Sequence, residues 1–331
     1  IVLFDNNKIS IDGPTNLAVS DNYKKRFESY GWFFQEINGH NEKQVFQAIK
    51  KSLNSKKPNL ISCKTIIGYG SPNKSGKASS HGAPLGEKEI ALVRKKLKWK
   101  YSPFEIPKEI LRDWRKTGEK GVLEENKWNK VYNKKSKKIK EELSRIVSNK
   151  LPENFDKLLS EQKKKFFDLK SNIATRQSSA SILEEITKNL PELIGGSADL
   201  SGSNNTKTKY STILKPSNFS GNYIHYGVRE HGMAGIMNGM SLHGGIIPYG
   251  GTFLIFLDYC KPSLRLSALM GLKVIYIFSH DSIGLGEDGP THQPIEHFAH
   301  LRAIPNLNVF RPADTIETLE CWEIALKSST N

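Results

Sequence analysis

Cysteine is scarce in this sequence: Cys63, Cys260 and Cys321 are the only three, far apart and odd in number. That excludes a disulfide framework and a thiolate metal site. It fits a reducing compartment, so a cytoplasmic location is the expectation. No apolar run approaches the roughly 20 residues that a membrane-spanning helix needs, so no membrane partner is expected. No secretory signal pattern is visible. Acidic residues are outnumbered, 34 against 49 lysines and arginines, which gives a formal charge of +15. The excess lies mostly between residues 95 and 170, in lysine runs at 134–138 and 163–165. These runs have little interleaved aromatic content and no accompanying nucleic-acid motif. A solvated, helical linker is expected rather than a specific nucleic-acid partner. A positive field also favours phosphorylated substrates. The chain opens on the apolar residues IVLF (1–4), without methionine. This reads as the end of a buried strand, and the chain is expected to be a piece of something longer.

A length of 331 residues allows two domains of ordinary size. Residues 42–53 have the pattern of an amphipathic helix started near Asn41. Residues 60–67 read as a buried strand, 68–82 as a glycine-rich loop and 87–97 as a charged helix. This is the rhythm of a parallel α/β sheet. Residues 101–170 show no apolar strand and read as a polar, helical connector. The α/β rhythm then returns. Helices are expected at 179–190, 230–242, 252–260 and 314–326, with a strand at 274–278. No repeat of fixed period appears. The organisation expected is two α/β domains, residues 1–140 and 141–331, joined by a basic helical linker.

The densest chemistry lies in HDSIGLGEDGPTHQP (280–294), directly after the apolar strand. His280, Asp288 and His292 can bind or move protons, and glycines and prolines fix the backbone between them. Such density suits an active site at the carboxyl end of a parallel strand better than a core. Gly284, Gly286 and Gly289 match the dinucleotide pattern G-x-G-x-x-G, but they begin several residues after the strand. Pro290 and Pro294 stand where the phosphate-binding helix should run, so a nicotinamide fold is rejected. Elsewhere each candidate has a plain reading beside the functional one. Glu230 in HYGVREHGM (225–233) is a helix-start glutamate favoured by the macrodipole. Phe253, Phe256 and Tyr259, spaced by three, suit core packing on one helical face. DNNKISI (5–11) is an ordinary strand-to-loop turn, and His81 is a lone loop histidine. Arg176 in NIATRQSS (172–179), with Ser203 and Asp199 in SADLSGSN (197–204), could cap helices.

Taken together, in this order and spacing, these segments resemble the transketolase family. The likeness covers nearly the whole chain and is weak from 101 to 170. It implies two parallel-sheet domains, a partial diphosphate-binding domain and a pyrimidine-binding domain. The cofactors it implies are thiamine diphosphate and Mg2+, with Ca2+ or Mn2+ as substitutes. In the family pattern Glu230 matches the glutamate that hydrogen-bonds the cofactor's pyrimidine ring and activates it. Phe253, Phe256 and Tyr259 match the aromatic segment against that ring, and Asp199 matches a cofactor-cleft aspartate. Asn7 matches a side-chain oxygen ligand of the metal, and Ile9 a backbone carbonyl ligand; hard oxygen donors suit magnesium on a diphosphate. His81 matches a histidine beside thiamine and sugar hydroxyls. Arg176, Ser203 and His280 match ligands of the sugar phosphate, Asp288 the reader of the donor's C2 hydroxyl, and His292 the group near the reacting carbonyl. His40, His225, His231, His243, His297 and His300 lack a carrying motif and read as structural.

The activity implied is transfer of a two-carbon ketol unit between sugar phosphates, in the pentose phosphate pathway or the Calvin cycle. It takes place in a homodimer whose sites lie at the subunit interface, with Glu230 serving the partner's site. The family's upstream Gly-Asp-Gly segment and its carboxyl-terminal domain have no counterpart in these residues. The 331 residues alone are therefore expected to be inactive. A dihydroxyacetone synthase-like relative and a non-catalytic thiamine-binding fragment are the alternatives.

Overall fold

The structure is a computed structural model that describes residues 1–328. It divides into two units, Ile1–Glu125 and Asn126–Asn331.

In the first unit the chain runs β1 (Val2–Asn6), β2 (Ile9–Ser10), β3 (Gly13–Pro14), α1 (Tyr23–Ser29), β4 (Phe33–Asn38), α2 (Glu42–Leu53), β5 (Asn59–Lys64) and α3 (Glu87–Lys96). Helix α4 (Lys108–Asn133) carries the division between the units. The main sheet has the order β1-β5-β4 and is wholly parallel, with Leu3 opposite Ile61 and Gln35 opposite Ile61. Central β5 is the most buried of the three, as expected for a strand with neighbours on both edges. Its Ser62 is fully buried and accepts from Asn6 Nδ2 at 3.3 Å. Helix α2 starts where the sequence indicates: the Asn41 side chain accepts from Gln44 N at 3.1 Å. Gln35 Nε2 ties β4 to that helix through the Ala48 carbonyl and Ser52 Oγ, at 3.0 and 2.9 Å.

The second unit continues with α5 (Lys137–Val147), α6 (Phe155–Leu169), α7 (Thr175–Asn189), β6 (Leu193–Ser197), α8 (Ser201–Asn204), β7 (Tyr223–His225), α9 (Glu230–His243), β8 (Ile247–Phe253), α10 (Leu257–Leu269), β9 (Ile275–Ser279), α11 (His297–Arg302) and α12 (Thr315–Lys327). Its sheet is also parallel, ordered β7-β6-β8-β9. One core packs α6, α7 and α12 against β6 and β8, through Phe155, Leu159, Ile182, Tyr249 and Trp322. On α9, α10 and α11, Ala234, Leu264 and Leu301 build a second core. The two glycine pairs in β6 and β8 are required by close approach. A Cβ on Gly195 would stand 2.0 Å from the Tyr249 ring, and one on Gly250 2.6 Å from Met237 Sδ.

Three segments differ from the sequence expectation. Residues 1–4 lead into strand β1, but Ile1, Val2 and Leu3 are exposed rather than buried, because β1 lies at the edge of its sheet. Residues 252–260 are not one helix: Phe253 ends β8, Phe256 lies in a 3-10 turn (Leu254–Phe256) and Tyr259 lies in α10. The buried strand passes directly into the turn, so a spacing of three arises without a common helical face. Within the basic stretch, α6 is part of the core, because Phe155, Leu159 and Phe166 share its buried face. Its Lys163 is paired with Glu320 and Glu323 of α12, both at 2.7 Å. No helix among the described residues is long and apolar enough to cross a membrane.

Candidate active site

Strand order places the site. From β6 the chain steps to β7 on one side and then to β8 and β9 on the other. Open parallel sheets bind ligands where the order reverses, outside the carboxyl ends of the strands. The carboxyl ends of β6, β8 and β9, with the segments that follow them, carry Asp199 and Ser203, Phe253 and Phe256, and His280, Asp288 and His292, respectively. Arg176 reaches the same edge from the first turn of α7. Gln177 Oε1 braces that turn by accepting from Ala174 N at 3.1 Å. Asp199 (φ 63°) and His280 (φ 55°) are both left-handed, each just past a strand end. Non-glycine residues held there are characteristic of functional loops.

Arg176 Nη1 lies 3.0 Å from His280 Nε2. Guanidinium groups only donate, so Nε2 accepts and the imidazole proton is on Nδ1. That proton goes to Ser279 Oγ, 2.8 Å away. Burial, and next the Arg176 charge, hold His280 below the ordinary histidine value; the Asp288 and Asp281 charges oppose them. His280 is thus a neutral acceptor at neutral pH.

Behind it lies a buried polar chain. Asn204 Nδ2 donates to Ser279 Oγ at 2.6 Å and to the Thr252 carbonyl at 3.0 Å, and Asn204 Oδ1 accepts from Ser197 Oγ at 3.1 Å. Ser197, Asn204, Thr252 and Ser279 thereby fasten the carboxyl ends of β6, β8 and β9 together. Sequence reasoning missed Asn204 and Ser279. Their only signal was polarity beside apolar strands, and their partners lie up to 75 positions away.

The His280 ring sits on Phe253, centroids 3.8 Å apart, and Phe253 stacks with Phe256 at 5.7 Å. His292 meets both aromatic rings edge-on, at 6.2 and 5.4 Å, and Tyr259 adjoins Phe256 at 5.9 Å. Arg176, His280, His292 and the three aromatic residues therefore form one cluster. Glu230 opens α9 and is 7% exposed, yet its carboxyl group accepts no hydrogen bond among the described residues. It faces α10: Cys260 is pushed up to about 12, by burial first and by the Glu230 charge second. No hydrogen bond or ion pair joins Glu230 to the Arg176–His280 pair among the described residues. Ser203 is half-buried in α8, and Asp199 is exposed.

Asn7, Ile9 and His81 lie in the first unit. Asn7 Oδ1 accepts from Ile9 N at 3.0 Å, a tight turn that leaves a second lone pair on the oxygen. Ile9 stands opposite Pro14, which has no N–H to offer its carbonyl. His81 is exposed at the end of the 68–82 loop. That loop is anchored by Glu89, which accepts from Ser71 Oγ, from Asn73 N at 2.9 Å and from Asn73 Nδ2 at 2.8 Å. The Asn73 side chain first, then Ser71, lower the Glu89 carboxyl to about 2. Among the described residues no group of three or more His, Cys, Asp or Glu could hold a metal, so a metal here would need other oxygen donors.

Comparison with known proteins decides the family. Residues 1–152 match the transketolase thiamine diphosphate binding domain, and residues 171–331 match the transketolase pyrimidine binding domain. The chain belongs to the transketolase family. It is 50% identical to a transketolase of Sinorhizobium medicae, over 98% of this chain and 47% of that one. It is 48% identical to a transketolase of Buchnera aphidicola from Acyrthosiphon pisum, over 100% of this chain and 50% of the relative. The solved transketolase of Pichia stipitis in complex with sedoheptulose-7-phosphate superimposes with a TM-score of 0.90 at 38% identity, covering 99% of this chain and 50% of that one. A Campylobacter jejuni transketolase gives 0.86 at 39% identity, over the same shares. The chain thus spans about half the length of the transketolases it matches.

Proposed function

We propose that the protein to which these residues belong transfers a two-carbon ketol unit from a ketose phosphate to an aldose phosphate, using thiamine diphosphate and Mg2+. The carrying observation is the junction of the Arg176–His280 pair, whose charge is on Arg176, with an aromatic wall at the carboxyl edge of the second sheet. Arg176 and His280 suit a phosphate, and Phe253, Phe256 and Tyr259 suit a flat ring. Bound thiamine diphosphate would supply a nucleophilic carbon and an electron sink for the two-carbon unit. The residues fit that group. A buried carboxyl group without a partner, Glu230, is what a protonated ring nitrogen requires. Asn7 Oδ1 and the Ile9 carbonyl are hard, neutral oxygens suited to Mg2+ beside a diphosphate.

The chain's own groups then have distinct tasks. Arg176, with His280 and Ser203, binds the substrate's phosphate. Asp288 reads a hydroxyl of the donor sugar. His292, edge-on to Phe253 and Phe256, moves a proton at the substrate carbonyl, and His81 serves sugar hydroxyls. Glu230 holds a proton at the cofactor ring of the partner subunit in a homodimer, and Asp199 lines the cofactor cleft. The Pichia stipitis relative with sedoheptulose-7-phosphate supports the substrate class; a cytoplasmic role in pentose phosphate metabolism is part of the proposal.

The test is turnover of xylulose 5-phosphate with ribose 5-phosphate by the full-length protein, beside Glu230→Ala. Sedoheptulose 7-phosphate formed only with cofactor, and lost in the variant, is the expected result. Full activity in Glu230→Ala would overturn the assignment. Turnover by the 331 residues alone would overturn their expected inactivity.

A further inference from the structure

An acidic residue stands next to the candidate phosphate site. Asp281 follows His280 directly, just past the carboxyl end of β9. Arg176, His280, Asp281 and Arg311 line the same cavity of the second unit. The Asp281 charge reaches the His280 ring, where it favours the protonated form. For an arriving phosphate such a neighbour is unfavourable. Adjacent Cα atoms are about 3.8 Å apart, so a bare carboxylate at 281 acts within roughly one Debye length on an anion bound at 280. His280 is neutral, and the charge of the Arg176–His280 pair is on Arg176. One unopposed carboxylate beside the pair would offset that single cation.

The structure opposes it. Arg311 Nε donates to Asp281 Oδ2 at 2.7 Å. The donor comes from thirty positions on, in the segment RPAD (311–314) between α11 and α12. Its guanidinium also lies over the Phe298 ring of α11, 4.9 Å from the centroid, which fixes the fork that meets the carboxylate. Arg302 lies over the same ring at 5.4 Å, without an ion pair to Asp281 among the described residues. The Arg311 and Asp281 side chains are 52% and 37% exposed, so their bond adds little to stability. Placed beside an anion site, its larger consequence is in charge.

We infer that Arg311 sets the site's preference for a phosphorylated substrate: it neutralises Asp281, and so leaves Arg176 and His280 free of a competing anion, without itself touching the phosphate. The inference rests on the proposed reading of Arg176 and His280 as phosphate ligands. Arg311 is then a positioning residue that acts through Asp281. One added negative charge some 6–8 Å from a dianion, screened by physiological salt, weakens its binding roughly threefold to tenfold.

The test uses the full-length protein with thiamine diphosphate and Mg2+, as the parent, Arg311→Ala, Asp281→Asn and the double variant. Turnover is measured with xylulose 5-phosphate and with xylulose, which lacks the phosphate, against saturating glycolaldehyde, an acceptor without phosphate. Arg311→Ala should raise KM for xylulose 5-phosphate roughly threefold to tenfold, with kcat and the kcat/KM for xylulose within about twofold of the parent. Asp281→Asn keeps an oxygen that accepts from Arg311 and should not raise KM. The double variant should return to within about twofold of the parent, because the charge that Arg311 opposes is gone. Arg302→Ala, which loses only a stacked cation, should match the parent. A double variant as impaired as Arg311→Ala would overturn the inference and make Arg311 a direct ligand or a brace. Equal loss with xylulose would overturn it too. Calorimetric binding of inorganic phosphate to the same forms should follow the same order. It needs no turnover, so a parent that binds phosphate but turns nothing over would sink the catalytic reading while the order of affinities still decides the role of Arg311. A parent without phosphate affinity would overturn both.

Discussion

Truncating Asn204 to alanine tests whether the buried polar chain holds the site together. Asn204 is 1% exposed and makes three side-chain bonds, to Ser279 Oγ, the Thr252 carbonyl and Ser197 Oγ. Two of those partners keep another: Ser279 retains His280, and Ser197 retains the Gly251 carbonyl. The Thr252 carbonyl loses the asparagine's donor. Three net hydrogen bonds at about 0.5–1.5 kcal/mol each give a loss near 3 kcal/mol. For a unit of this size that is a drop in Tm of roughly 6–12 °C. Thermal unfolding followed by circular dichroism measures it, with exposed Lys207→Ala as the neighbouring control. A shift under about 2 °C, or one equal to the control, would refute the reasoning. The three strand ends would then be fixed by the sheet ladder alone.

Arg176→Ala should raise the His280 pKa toward its ordinary value of 6.5, because it removes the second cause of the depression and leaves burial. A proton NMR titration reads this, and a downward move would contradict the assigned pair. In the parent chain the lowered value means stability is fully present above pH 6.5 and falls as the pH drops through the folded-state value. Gly195→Ala should destabilise the second unit by more than about 3 kcal/mol, since its Cβ would stand 2.0 Å from the Tyr249 ring; a melting temperature within about 2 °C of the parent's would show that the strands can separate cheaply. Glu89→Gln should leave one donor of the 68–82 loop unmatched and speed proteolysis between Ser71 and His81. In the parent the anchoring is present above pH 4.5 and is lost only as the pH falls through about 2, so equal cleavage of both forms at pH 7 would exclude Glu89 as the anchor.

Much of the site was legible because its residues come in short local strings. The 280–294 segment follows its strand closely, and glycine and proline mark its turns. The Asn41 cap and α2 were readable for the same reason: side chain and partner lie three positions apart. What could not be read depends on distant neighbours. Strand β8 contains Pro248, Gly250 and Gly251, which lower its strand signal, yet Met237 and Thr206 crowd the two glycines and leave room for nothing larger. Strand β4 interleaves Gln35 and Glu36 among its apolar residues, and Gln35 is there to hold α2. Asn204 and Ser279 have meaning only as a pair, which the fold brings together.

Ser279 gives the neighbouring imidazole a choice of hands. Its hydroxyl accepts from His280 Nδ1 while Arg176 occupies Nε2, but a hydroxyl can equally turn and donate. An anion arriving at Arg176 would take that donor away and ask His280 for one of its own. With Ser279 turned to donate to Nδ1, the ring can carry its proton on Nε2 and answer the anion while remaining neutral. Nδ1 gives up its proton, Nε2 takes one through water, and the bond to Ser279 reverses, so the ring's net charge is unchanged.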